Sequence, residues 1–257
     1  MLQYSNTPFP RPKPTVNLDE TLVKRVRGSI AAPDHIKEEA QVNKIVLLTV
    51  LMILVLAGIA HATPSTLIWI PSTDIQAGST HLGIDAFSAA GSADDPTTDF
   101  GLTFGNGRYE WGVDYFEGID DPIYLNAKAL LKDESPTSLR LVAGVYSYGT
   151  DDSTAYNILY LLGSRTLSFG RLTAGYGIGR EEALGADNAM FLLGYDKVIN
   201  DRWGFAMDYQ SGKSAFGAFS AGATYVINPT TSIIVGYTWF NDDSLADCFT
   251  MQFDVNL

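Results

Sequence analysis

From residue 80 to its last residue the chain repeats one pattern, a block of about ten residues in which apolar and polar side chains alternate, followed by a turn. In RYEWGVDYF (108–116), Tyr109, Trp111, Val113 and Tyr115 share one face, while Glu110, Gly112 and Asp114 share the other. WGFAMDYQ sets Trp203, Phe205, Met207 and Tyr209 opposite Gly204, Ala206, Asp208 and Gln210. A period of two belongs to the β-strand, whose successive side chains point to opposite faces. Blocks near 80–87, 98–105, 108–116, 122–131, 139–148, 156–164, 170–179, 188–198, 203–211, 216–227, 231–240 and 248–257 predict twelve strands with no helix between them.

The connections alternate too. GNGR (105–108), NDR (200–202) and NPTT (228–231) are short and rich in turn formers, whereas SAAGSADDPTT (88–98), GTDDSTA (149–155), REEALGAD (180–187) and NDDSLAD (241–247) are longer and acidic. The apolar face is large and aromatic on nearly every strand, and the other face is mostly Gly, Ser, Thr, Asp and Asn. A soluble exported β-sandwich or lipocalin-like barrel would need the reverse, a polar outside around a bulky dry core. Aromatic residues also gather beside turns: Phe104, Tyr109 and Trp111 around GNGR, Trp203 and Phe205 after NDR, Tyr225 before NPTT, and Trp239 near the opposite rim. Two such bands fit the girdles that aromatic rings form at membrane interfaces.

Over residues 80–257 the pattern resembles the bacterial outer-membrane β-barrel class, which includes the porins. The resemblance implies an all-β fold, a single closed antiparallel up-and-down transmembrane barrel, with both termini at the short-turn, periplasmic rim. It implies outer-membrane lipid and the barrel-assembly machinery as partners. The final strand, FTMQFDVNL, is similar to the assembly signal of that class, which places Phe249, Phe253, Val255 and Leu257 in that role; Leu257 stands where an aromatic residue is usual. LIWIPSTDIQ (67–76) looks like an opening segment of uncharacterised members of such families.

Upstream, IVLLTVLMILVLAGIA (45–60) is an uninterrupted apolar run after Lys44, shorter than the ~20 residues a spanning helix prefers. Ala60-His61-Ala62 follows, the layout of a secretory signal. The expected organisation is an N-terminal extension at 1–43, a signal peptide at 44–62 cleaved after Ala62, an extended segment at 63–79 and the barrel at 80–257. Retention of 45–60 as an anchor is the alternative.

Net charge is −12, and the Lys/Arg clusters that nucleic acid requires are absent downstream of the apolar run. Reading inward positions from the alternation gives Asp85, Asp99, Glu110, Asp114, Lys128, Arg140, Arg171, Asp196, Asp208 and Asp254. Taken round a closed ring, strands 8–12 and 1–3 contribute acids and strands 4–7 bases. Two arcs facing each other across water would set the selectivity of a pore. Alternatively the same groups pair and close it, for instance Lys128 with Glu110 or Asp114. Tyr124, Tyr146 and Tyr148 are also read as inward, as are Gly101, Gly112, Gly144, Gly175, Gly177, Gly179, Gly194 and Gly236. Pro71 keeps LIWIPSTDIQ from being a regular central strand, leaving an edge strand, a tether or a lumen plug. Trp69 within it is read as a packing residue.

Chemistry has little support. His81 and Asp85 share a face, but no GxSxG nucleophile elbow occurs. The paired aspartates 94–95, 120–121, 151–152 and 242–243 lack calcium-loop spacing, and the one cysteine, Cys248, excludes a disulfide framework. No enzyme, cofactor or metal is expected. The expected function is a narrow passive channel for small solutes or ions. The alternative is a closed barrel that binds partners through its acidic loops.

Overall fold

The computed structural model describes residues 67–257 other than 79, 93–95, 120, 150, 152 and 153, so the extension and signal-peptide assignments at 1–62 lie outside the described residues. Twelve strands form: β1 (Thr80–Ala89), β2 (Thr97–Gly105), β3 (Tyr109–Phe116), β4 (Ile123–Lys132), β5 (Arg140–Tyr148), β6 (Ile158–Leu167), β7 (Gly170–Ile178), β8 (Ala189–Val198), β9 (Trp203–Gln210), β10 (Ala218–Asn228), β11 (Thr231–Phe240) and β12 (Cys248–Asn256). Each pairs antiparallel with its neighbours in sequence, and β12 returns to β1, with His81 opposite Asn256 and Ala89 opposite Cys248. The fold is a single closed up-and-down barrel, and closure leaves no strand edge unpaired.

The two faces of the sheet follow the alternation. Along β12, Cys248, Thr250, Gln252, Asp254 and Asn256 are buried inside, whereas Phe249 and Met251 are exposed outside and Phe253 and Val255 half-buried. Short connections at the rim where β1 begins hold each other. Glu134, between β4 and β5, accepts from the Thr166 N–H at 2.9 Å and the Thr166 hydroxyl at 3.0 Å. That first hydrogen bond holds the Glu134 carboxyl below its ordinary value.

Three expectations need correcting. The β7–β8 connection contains a short helix, α1 (Glu181–Leu184), continued by a 3₁₀ turn at Gly185–Asp187. One turn is too short to show helical periodicity. It forms because Leu184 can be driven down against Tyr156, Ile158 and Met190 at the barrel mouth. Tyr148 points outward and is exposed, not inward. Between the pairs Tyr148–Leu125 and Val145–Ala127, β5 has one residue more than β4, and Ser147 takes a positive φ of 50°. This bulge shifts the alternation by one, so every side chain beyond it changes face. Finally, the inner face is not uniformly small and polar. Val142, Ile158, Tyr160, Leu162, Met190 and Leu192 are buried inside. Their strands, with LVAGV, ILYLL and MFLL, are apolar on both faces, so alternation in polarity could not reveal the inner one.

A closed barrel of this kind should migrate faster on a gel before boiling than after. Deleting residues 248–257 opens β1 and β11 together and should abolish the fast band; persistence of that band would contradict closure by β12.

Candidate functional site

The barrel is not empty. Residues 67–78 run into its interior before β1 begins, which selects the plug among the three positions open to LIWIPSTDIQ. Leu67, Ile68, Ile70 and Ile75 are buried. Leu67, Ile70 and Ile75 pack against Val142, Tyr160, Leu162 and Leu192, and Ile68 against Ala206 and Ile234. The apolar patches on the inner wall are therefore the seat of this segment, and the two exclude water together. Trp69 does pack, edge-on between Phe87 and Phe240 with centroids 6.0 and 5.5 Å away, and its indole N–H donates to the Phe216 carbonyl at 2.8 Å.

An irregular segment buried inside a barrel must find partners for its backbone groups. The N–H groups of Ile68 and Trp69 donate to Asp208 Oδ2 at 2.6 and 3.0 Å, and Gln252 donates to the Ile68 carbonyl at 2.7 Å. The Gln76 N–H donates to Glu110 at 2.7 Å, and its side-chain amide to Asn256 at 2.6 Å. At the rim, Gly78 N–H meets the Gly105 carbonyl at 3.0 Å and Gly107 N–H the Gln76 carbonyl at 2.9 Å. Pro71, with no N–H, reduces the demand by one donor. Glycines on the wall give room: a Cβ at Gly194 would stand 2.9 Å from a Leu67 methyl, and one at Gly222 2.9 Å from an Ile68 methyl. At Gly194 the room serves plug contact, whereas at Gly222 the neighbouring strand is met first, the Val235 carbonyl oxygen at 2.4 Å and the Gly236 Cα at 2.7 Å. Gly222 escaped the sequence reading.

All three inward bases turn to the same segment. Arg171 makes a bidentate pair with Asp74, Nη1 to Oδ1 at 2.7 Å and Nη2 to Oδ2 at 2.8 Å, and its Nε reaches Asp196 at 3.0 Å. Arg140 Nε donates to the Thr73 carbonyl at 2.9 Å, with Asp133 on its other nitrogen. Lys128 pairs with Glu110 at 3.1 Å and reaches the Ser72 carbonyl at 3.3 Å. The basic arc is consequently occupied, and does not face the acidic arc across open water. Removing one partner of such a buried pair costs about 3–5 kcal/mol, because the other charge is stranded. Sequence reasoning missed Asp74 because a single acid in an irregular segment has no periodicity to place it.

The acids of β1–β3 are left over. His81 pairs with Asp254 at 3.1 Å and lies 3.2 Å from the Asn256 amide oxygen, not with Asp85. Four residues along a strand are about 13 Å apart, so the cross-strand neighbour prevails. Asp85 stands opposite Asp99, and Asp114 opposite Gly101. Asp114 accepts from the Asn126 amide. Among the described residues none of the three carboxylates is ion-paired with a Lys or Arg, and Asp99 Oδ1 is buried with no hydrogen-bond partner. Beside the plug, on the β2–β5 flank, lies a cavity of about 330 Å³ whose lining includes Glu110, Asp114, Asn126, Lys128 and Ser147. Among the described residues no cluster of three or more His, Cys, Asp or Glu is placed to hold a metal ion.

Outside, Phe104, Tyr109, Trp111, Trp203, Phe205 and Trp239 are exposed and Tyr225 is half-buried. They pair in bands: Phe104 on Trp111 at 6.4 Å and Trp203 on Tyr225 at 4.7 Å at the short-turn rim, Phe219 on Trp239 at 5.5 Å at the other. Trp239, near the end of β11, adjoins the acidic loop at 241–247.

Asp208 fixes the innermost part of the plug. Asp208→Ala should raise the hydrogen-exchange rates of the Ile68 and Trp69 amides by at least about tenfold, given the ~1.5–3 kcal/mol carried by a hydrogen bond to a charged group. Unchanged exchange would mean that packing alone holds the segment.

No family model matches the chain, and no curated protein does. Solved structures do match its fold. One titled "KdgM porin" superposes with a TM-score of 0.49 at 11% identity, covering 69% of this chain and 99% of its own. The chain has a closed, twelve-stranded antiparallel β-barrel fold.

Proposed function

We propose that the chain is an exported outer-membrane barrel that passes small cations through the narrow space beside residues 67–78. The observation that carries this reading is the distribution of charge inside. Every inward base is committed to the plug or to an acid, while Asp85, Asp99 and Asp114 have no basic partner, and Asp114 lines the cavity beside the plug. A bore lined this way attracts cations and excludes anions. Its cavity of about 330 Å³ suits ions and small solutes rather than oligomers. Asp196, Asp208 and Asp254 act in holding the plug and His81 more than in selection, and Glu110 with Lys128, Arg140 and Arg171 forms the wall that anchors it.

The same reading assigns the exposed aromatics Phe104, Tyr109, Trp111, Trp203, Phe205, Tyr225 and Trp239 to the membrane interfaces, and the outward Phe249, Phe253, Val255 and Leu257 to lipid contact and assembly. It also favours cleavage after Ala62. Leu67 is 1% exposed inside the barrel. A mature chain starting at Thr63 has only four residues to accommodate before that point.

A second reading, a closed barrel, is favoured by the apolar contacts between the plug and β5, β6 and β8. Planar-bilayer recording separates the two. Wild-type protein should give small, cation-preferring steps. Asp114→Asn should lower the cation-to-anion permeability ratio by about fivefold, since one charge contributes on the order of 1 kcal/mol in a wet bore. Deleting residues 67–77 should enlarge the steps and weaken their selectivity. Absence of current from the wild type at any voltage would leave the closed barrel.

A further inference from the structure

An apolar layer lies inside the mouth opposite the short-turn rim. On one side Phe87, Phe240 and Cys248 pack with Trp69 of the plug and with Phe116. On the other, Tyr124, Tyr156 and Met190 pack with Phe116, Tyr146 and Phe216. Phe116 belongs to both groups, so the layer runs from the β1 and β11 walls across to β4 and β8. Tyr146 also lines the cavity of about 330 Å³ beside the plug, so the layer borders that cavity. Phe216 joins the two groups a second time. Its ring meets Tyr156 and Tyr146 edge-on, with centroids 4.8 and 5.9 Å away, and its carbonyl accepts the Trp69 indole N–H at 2.8 Å.

Phe87, Tyr124 and Met190 sit in paired strands of a closed sheet and cannot leave the layer without breaking the ladder. Phe216 is carried differently, on the β9–β10 connection at 211–217, and is half-buried. That connection is a compact loop whose ends touch. A Cβ at Gly217 would stand 2.0 Å from the Gly212 carbonyl oxygen, and Gly212 takes a φ of 91°, so both positions require glycine. Asn241 clamps this neck: its side-chain amide donates to the Gln210 and Gly212 carbonyls at 2.9 and 2.8 Å, and its N–H to the Gly217 carbonyl at 2.9 Å. Beyond the neck, the Lys213 N–H donates to Asp187 at 3.0 Å and Phe216 accepts from Trp69. The loop is thus fixed at its base, and its Phe216 end is held by ring packing and the indole hydrogen bond.

We infer that the β9–β10 connection is a gate on the mouth opposite the short-turn rim, with the Trp69 indole as its latch. With Phe216 seated, the apolar layer closes this mouth to ions; swinging the loop about its glycine neck withdraws Phe216 and opens the way to the cavity. A hydrophobic constriction of this kind stops ions by excluding water and needs no charge of its own. Because the latch belongs to the segment that fills the lumen, the plug holds the gate shut. The gate rests on the channel reading proposed above and regulates the same passage.

Planar-bilayer recording of the full chain, paired with amide hydrogen exchange, tests it. W69F keeps a ring against Phe87 and Phe240 but loses the donor, and should raise the fraction of time open by about fivefold, the effect of one lost hydrogen bond. F216A should raise it further with cation preference unchanged, since Asp114 is untouched. F219A, which alters an aromatic on the outer face of β10, should leave it at the wild-type level. In W69F the Lys213 and Gly217 amides should exchange about fivefold faster, while Ile68, held by Asp208, keeps its wild-type rate. Faster exchange at Ile68 as well would mean that the plug has unseated and would overturn the latch. Should F216A fail to assemble, W69F and the wild type decide: loop amides that exchange as slowly in both as those of Asp208 and Ser220 in the flanking strands overturn the gate. Wild-type current with unchanged open fractions in W69F and F216A refutes the gate alone. No current from the wild type or either variant, in protein whose gel mobility is heat-modifiable, refutes the channel reading and the gate with it.

Discussion

The structure depends first on the pairing of β1 with β12, which joins residues 81–89 to residues 248–256 across nearly the whole folded chain. Without that ladder two strands would expose their N–H and C=O rows, and in hydrocarbon each unsatisfied group costs several kcal/mol. Closure also decides what every other side chain does. Once the ring is shut, alternation divides each strand into an outer residue set and an inner set confined to a narrow space. Many of the large aromatic side chains then go outside, while Phe87, Tyr124 and Tyr160 stay within, and the charges gather in the lumen or at the rims.

Twelve strands make a ring too wide for wall side chains to fill alone. The chain meets this with its own N-terminal segment. Apolar positions on β5, β6 and β8 receive Leu67, Ile70 and Ile75, while Gly194, Gly222 and Gly236 stand back to admit Leu67 and Ile68. The polar remainder of the segment meets Arg140, Arg171, Lys128 and Asp208. The aliphatic packing is therefore concentrated on β5–β11, with Trp69 reaching across to Phe87 on β1. The opposite flank keeps both its space and its uncompensated carboxylates.

Strand number, order and most boundaries were legible in the sequence because a period of two, repeated between turn formers, has few other realisations. The inward positions of Asp85, Glu110, Asp114, Lys128, Arg140, Arg171, Asp196, Asp208 and Asp254 followed from the same parity. What parity cannot carry was lost. Tyr148 changed face because a single extra residue at Ser147 is invisible in polarity. The inner apolar patch hid in strands that are apolar on both sides. The partners of the basic arc depended on where an irregular segment lies, and LIWIPSTDIQ has no period from which its place could be read. His81 paired across the sheet with Asp254. Residues close in sequence on an extended strand are far apart in space, so the i and i+4 spacing that suggests contact in a helix misleads here.

The bonds of Ile68 also bear on the order in which the molecule is made. Its N–H is held by Asp208 on β9 and its carbonyl by Gln252 on β12, partners 140 and 184 residues later in the chain. A segment that precedes β1 thus stays without these hydrogen-bond partners until the last strands exist. It cannot be threaded in easily after the ring shuts, because its side chains are seated between opposite walls. The wall must close around the segment, which makes it an internal mandrel: β9 and β12 can dock only in a register that also satisfies Ile68. Loop-closure entropy for such distant contacts is large and is met late. The rate of barrel closure is thereby tied to residues that belong to no strand.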